Sequence, residues 1–142
     1  MIDYLLYLIL RGFSLFVNHL PESVALWVGR QIGNVMYCLD VEHRRVAIRN
    51  LHIAFAQEKS DEEMRSIAKK NFQNLGMMAV EFFRIPGMGL KTYKQKVEME
   101  GVDEALKVLE KSKGGLLLLG HFGNWELMAL MSRVIKKPIL VI

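Results

Sequence analysis

The chain is 142 residues long, 51% hydrophobic and 24% charged, with 19 Lys and Arg against 15 Asp and Glu for a formal net charge of +4. These values exclude a disordered, collagen-like or low-complexity chain and supply one domain's worth of sequence with material for a core. A net +4 suits an anionic membrane surface as well as nucleic acid and does not choose between them. Cys38, the single cysteine, excludes an intramolecular disulfide and a cysteine-rich metal site, and points to a reducing compartment. It reads as a small buried hydrophobe.

Residues 1–20, MIDYLLYLILRGFSLFVNHL, are apolar apart from Asp3, Arg11, Asn18 and His19 and stop at Pro21. Neither a basic start nor a small-residue cleavage site is present, so this is not a cleaved signal peptide. Arg11 divides the run, which falls short of the roughly 20 apolar residues a spanning helix needs. The segment reads as a membrane anchor lying in or dipping through the interface, with Arg11 snorkelling to the headgroups. A soluble core helix is the competing reading.

From Pro21 to Asp40, Val24, Trp27, Val28, Ile32, Val35, Met36 and Leu39 recur at helical spacing, and Gly29 and Gly33 form a G-x-x-x-G pair that permits close helix packing. The next stretch, VEHRRVAIRNLHIAF, places Ile48, Leu51 and Phe55 on one face and carries His43, Arg44, Arg45 and Arg49. Those cations suit phospholipid headgroups or a phosphorylated substrate, and equally a solvated helix face. Ser60-Asp61-Glu62-Glu63 is a capping box. It starts a helix in which Met64, Ile67, Ala68, Phe72, Leu75, Met78, Ala79 and Phe82 keep period until Pro86-Gly87-Met88-Gly89.

Beyond that loop the pattern predicts a different architecture. Val97–Glu100 alternates like a half-exposed strand. Asp103–Lys111 reads as a helix with Ala105, Leu106, Val108 and Leu109 inward. Leu116–Leu119 is a glycine-framed apolar run, as in a buried parallel strand. Asn124–Ile135 returns to helical period, and Pro138–Ile142 opens another buried strand. The expected fold class is α/β: β-α-β-α-β units of a mainly parallel sheet covered by helices, preceded by a helical, membrane-facing part. The expected organisation is an anchor over 1–20, a helical region over 21–90 and the start of an α/β domain over 91–142.

Gly120-His121-Phe122-Gly123-Asn124-Trp125-Glu126 follows the predicted strand Leu116–Leu119, where open α/β sheets place their sites. His121 suits a general base near neutral pH. Glu126, five residues on, can hold the other ring nitrogen and fix the tautomer. This is a triad without its serine, so the nucleophile is the substrate's own hydroxyl. Gly120 and Gly123 permit a tight turn, and amides at the helix start can stabilise an oxyanion. A structural histidine beside a capping Asn124 explains the same residues. Metal binding is disfavoured, because no H-E-x-x-H spacing occurs and His19, His43 and His52 lie in distant helical segments.

The H-x-x-x-x-E pattern inside GHFGNWE resembles the first block of the glycerolipid-type acyltransferases, and most specifically the lipid A late acyltransferases of lauroyl/myristoyl type, in the lysophospholipid acyltransferase superfamily. Arg49-Asn50-Leu51, Ala54-Phe55, Ser60–Glu63, Asn71-Phe72, Gly76, Glu81 and Gly101 resemble the N-terminal half of that branch. Glu126, where glycerol-3-phosphate and lysophosphatidate acyltransferases usually show Asp, favours the lipid A type, with mannoside acyltransferases a nearer rival.

The resemblance implies transfer of a fatty acyl group from an acyl carrier protein thioester to a hydroxyl of a lipid A precursor, at the cytoplasmic face of the inner membrane. His121 is then the base and Glu126 its orienting partner. Gly123, Asn124, Arg44, Arg45 and Arg49 meet substrate or the acidic carrier. Membrane lipids are partners; nucleic acid, metal and cofactor are not expected. Members of the family are longer, and their later blocks have no counterpart in these residues. On that reading the polypeptide alone is inactive or poorly folded unless a second segment supplies the rest. The alternatives are another glycolipid or lysophospholipid acceptor, or a non-catalytic membrane-binding fragment.

Overall fold

A computed structural model describes residues 2–111, 115–116 and 118–136. The described residues form helices and loops only. They fall into two compact units, residues 1–84 and 85–142.

The first unit holds four helices: α1 (Ile2–His19), α2 (Glu22–Leu39), α3 (Val41–Phe55) and α4 (Asp61–Arg84). The capping box forms as the sequence dictates. The Ser60 amide donates to Glu63 Oε2 at 2.8 Å and the Glu63 amide donates to Ser60 Oγ at 3.3 Å, satisfying two amides that the first turn leaves without helical partners. The Ser60 amide and the Ser60 hydroxyl, both donating to the carboxylate, hold the Glu63 carboxyl below its usual pKa. At the start of α3, Asp40 Oδ1 accepts from the His43 amide at 3.1 Å, and the carboxylate also meets His43 Nδ1 at 2.8 Å.

The contact of α2 with α4 is made by backbone. A Cβ added at Gly29 would lie 2.7 Å from the Met77 Cα, one at Gly33 would lie 2.5 Å from the Gln73 Cα, and one at Gly76 would lie 2.6 Å from the Gly33 amide nitrogen. No residue but glycine fits these three places, so the G-x-x-x-G pair of α2 meets a third glycine on α4. Gly76 therefore takes an inward position of α4, while Leu75 and Phe82, which share the apolar period of the helix, are exposed. Around the glycines, Gln73 Nε2 donates to Asn34 Oδ1 at 2.8 Å, and Tyr37 meets Phe72 edge-on at 5.6 Å.

The core at the other end of α4 is Val17, Ala25 and Val80, flanked by Phe13, Leu20, Ile32 and Phe83. There the C-terminal ends of α1 and α4 come together, two ends of like partial charge. Arg84 answers this by donating to the carbonyls of Val17 and, at 3.0 Å, Leu20, while Ser14 Oγ and Asn18 Nδ2 donate to the Phe83 carbonyl at 3.1 and 2.9 Å. Residues 2–12 of α1 are all exposed, apolar side chains included. Cys38 is exposed, contrary to its expected burial.

The second unit consists of a 3-10 turn at Ile85–Gly87, α5 (Leu90–Lys96), α6 (Val102–Lys111), a 3-10 helix at Trp125–Leu130 and α7 (Met131–Ile135). The predicted β-α-β-α-β sheet is absent: the described residues contain no strand. Val97 does have extended backbone, with φ −124° and ψ 115°, but Val97–Glu100 has no ladder partner among the described residues. Leu116 and Leu118 are 93% and 99% exposed where a buried strand was expected. Alternation and apolar runs set only the local preference; a strand exists when a neighbour accepts its hydrogen bonds. The third expected strand, Pro138–Ile142, lies outside the described residues.

Among the helices of this unit, α6 begins after Gly101, whose φ of +68° requires a glycine. Leu106 and Leu109 are half-buried, whereas Ala105 and Val108 face solvent. The helix expected over Asn124–Ile135 is 3-10 in its first half and α-helical in its second. No helix among the described residues is long and apolar enough to cross a membrane.

Candidate functional site

The G-H-F-G-N-W-E segment is a glycine-hinged turn running into the 3-10 helix Trp125–Leu130. The Phe122 amide donates to the Gly120 carbonyl at 2.8 Å, closing a tight loop that leaves Phe122 94% exposed. Gly123 then adopts φ +57°, a left-handed conformation that disfavours a side chain. Gly120 has open space around it. Asn124 enters the helix with φ −95° and ψ 76°; its side chain makes no capping hydrogen bond, and its carbonyl accepts from the Leu127 amide at 3.3 Å.

His121 is exposed and lies against the indole of Trp125, ring centroids 4.7 Å apart and tilted by 55°. Glu126 is half-buried in the first turn of the helix. Among the described residues no hydrogen bond or ion pair joins His121 to Glu126; the imidazole is positioned by the indole instead. Trp125, to which the sequence analysis assigns no role, is thus the residue in contact with His121. An aromatic four residues after the histidine is the signal that points to it.

The three arginines separate by environment. Arg44 donates to the Tyr37 carbonyl at 2.7 Å and the Cys38 carbonyl at 3.4 Å, and its guanidinium lies 5.3 Å from the Tyr37 ring centroid. It caps the C-terminus of α2, where a cation meets the helix dipole and unsatisfied carbonyls. Arg45 and Arg49 are exposed on α3, one turn apart, and make no hydrogen bond or ion pair among the described residues. All three belong to the first unit and the G-H-F-G-N-W-E segment to the second. Among the described residues no group of three or more His, Cys, Asp or Glu side chains is arranged to hold a metal ion.

Comparison with known proteins assigns the class first: the chain is related to acyltransferases. More narrowly, it belongs to the bacterial lipid A biosynthesis acyltransferase family, whose family model matches residues 1–137. It is similar to the lipid A biosynthesis palmitoleoyltransferase of Escherichia coli (strain K12) and to the lipid A biosynthesis acyltransferase of Shigella flexneri. Each is 27% identical over 108 residues, which cover 76% of this chain and 35% of the relative. The chain thus spans about a third of the length of the curated relatives it matches. No solved structure matches it.

Proposed function

We propose that the protein formed by this chain transfers a fatty acyl group from an acyl carrier protein thioester to a hydroxyl of a lipid A precursor, with His121 as general base. The observation that carries this reading is the family match over residues 1–137, which takes in the whole G-H-F-G-N-W-E segment. In the reaction, His121 removes the proton of the acceptor hydroxyl as that oxygen attacks the thioester carbonyl. The tetrahedral intermediate collapses, an ester forms, and the departing thiolate of the carrier takes the proton from the imidazolium. Glu126, five residues along, accepts from the other ring nitrogen once substrate orders the turn and stabilises the imidazolium. Catalytic hydrogen bonds are often long before substrate binds. Gly123 lets substrate approach the backbone, and Asn124 adjoins the acceptor.

The exposed apolar start of α1 supports an anchor that lies on or in the cytoplasmic face of the inner membrane, and Arg45 and Arg49 face phosphate or the acidic carrier. The decisive experiment measures acyl transfer from acyl carrier protein to a lipid A precursor. A His121→Ala change is expected to lower kcat about 10²–10⁴-fold, the usual contribution of a general base. Near-normal turnover in that variant would falsify the role of His121.

A further inference from the structure

The start of α1 carries a charge pattern that the chemistry above does not use. The later part of the helix is held by its neighbours: Val17 is buried, and Ser14, Asn18 and Arg84 tie the helix to the end of α4. Residues 2–12 have no such cover, and all are exposed. Asp3 and Arg11 are the only Asp, Glu, Lys or Arg residues within 1–20. With Tyr7 midway between them they stand at i, i+4 and i+8, in one row along the helix. The Arg11 guanidinium donates to the Tyr7 hydroxyl at 2.6 Å and lies 5.9 Å from the centroid of its ring, so it is laid along this row with most of its donors unspent. The Asp3 side chain makes no hydrogen bond or ion pair among the described residues.

Within one helix the two charges do not meet, because eight residues of rise separate them by about 12 Å. A second copy running in the opposite direction meets both. A two-fold axis beside Tyr7 brings each Asp3 against the Arg11 of the other copy, the self-complementary arrangement that an isologous interface requires. A parallel pair would set Asp3 against Asp3 and Arg11 against Arg11. The overlap also has the right length. Residues 2–12 are centred on Tyr7 and span about 16 Å, so each helix ends where α1 of the other copy enters its own bundle at Phe13. Tyr4, Leu6 and Leu10 flank the row and lose water in such a pair, while Leu5 and Ile9 point away from it and stay available to lipid.

We propose that two copies of this chain associate through residues 2–12 of α1 as an antiparallel pair, the Asp3 carboxylate of each accepting from the Arg11 guanidinium of the other. The apolar flanks supply most of the affinity. The two ion pairs fix direction and register, since exposed pairs are individually weak but like charges in their place repel. Sedimentation equilibrium of the full chain in detergent-free buffer measures the dimer, beside Asp3→Arg, Arg11→Asp and the double exchange Asp3→Arg with Arg11→Asp. Each single change turns two attractions into two repulsions and weakens the dimer at least about tenfold, although one adds positive charge and the other negative. The double exchange keeps the parent's net charge, rebuilds both pairs with their signs reversed and recovers the affinity to within about threefold.

Both positions are exposed, so the variants keep the parent's far-UV circular dichroism, and recovery in the double exchange separates a lost pair from a damaged helix. A chain that stays monomeric, whether or not it binds phosphatidylglycerol vesicles, overturns the proposal. So does growth into large assemblies with no dimer stage, a single change without effect, or a double exchange as weak as either single change.

Discussion

Residues 1–84 and residues 85–142 solve the problem of glycine in opposite ways. In the first unit, Gly29, Gly33 and Gly76 sit inside regular helices, where glycine costs about 1 kcal/mol each relative to alanine, and are required by neighbouring backbone within 3 Å of the missing Cβ. In the second, Gly101 and Gly123 have open space around them and are required by their own positive φ. One set is fixed by packing and the other by conformation. The same residue type therefore marks a helix–helix joint in one unit and a backbone turn in the other, and only the environment tells them apart.

The sharpest way to break this contrast is to put a side chain into the joint. Gly33→Val drives methyl groups into the Phe72 and Gln73 backbone, which no rotamer can relieve, and should cost about 3–5 kcal/mol, at the top of the overpacking range. Gly120→Ala, with nothing within 4 Å, should change stability by less than about 0.5 kcal/mol. Denaturant unfolding followed by far-UV circular dichroism reads both. Equal effects would dissolve the distinction drawn between the units.

A smaller effect tests what holds α1 to α4. Arg84→Met keeps the aliphatic stem but leaves the Val17 and Leu20 carbonyls without their donor, at a cost of about 2 kcal/mol. Hydrogen exchange should accelerate over residues 13–20 before it does in α2. Uniform acceleration across the unit would mean that Arg84 acts on the whole bundle and not on this end.

The smallest expected effect is electrostatic and confined to the start of α3. The hydrogen bond that the His43 ring donates to the Asp40 carboxylate raises the His43 pKa above 6.5, and the same bond lowers the Asp40 pKa below 3.8. The His43 contribution to stability is complete below pH 6.5 and disappears as pH rises through the raised pKa. The Asp40 contribution is complete above pH 3.8 and disappears as pH falls through the lowered one. Both are present in full between those limits. An NMR titration of the His43 ring should give a midpoint above 6.5 that returns to the ordinary value in Asp40→Asn; an unmoved midpoint would remove the pair from the account of α3.

The first unit was largely legible in the sequence because its signals are local. Apolar period sets α2 and α4, Ser60 and Glu63 bond within one turn, and Gly29 and Gly33 lie one turn apart on a single face. Met64, Ala68, Phe72 and Met78 of the predicted apolar face of α4 are buried, whereas Leu75 and Phe82 of the same set are exposed and Gly76 takes an inward place, because only the opposing glycines decide the fine rotation. The second unit was legible in its turns and not in its sheet. Gly101 and Gly123 announce their conformation from within, whereas Val97–Glu100 and Leu116–Leu119 depend on neighbours that no local pattern specifies. In the G-H-F-G-N-W-E segment the glycine turn and the helix start were readable. The contact of His121 with Trp125 was only suggested by their spacing of four residues, because the backbone angles of the turn decide whether the two rings meet.

The uncovered start of α1 governs how the molecule behaves in a test tube. Tyr4, Leu5, Leu6, Leu8, Ile9 and Leu10 are each 43–67% exposed, and burying such a side chain completely from water is worth about 2 kcal/mol. Even half of that sum rivals the whole folding stability of an ordinary domain. Self-association in detergent-free buffer should accordingly rise with concentration and vanish above the critical micelle concentration of a mild detergent, making the choice of solvent as consequential for this chain as any contact within it.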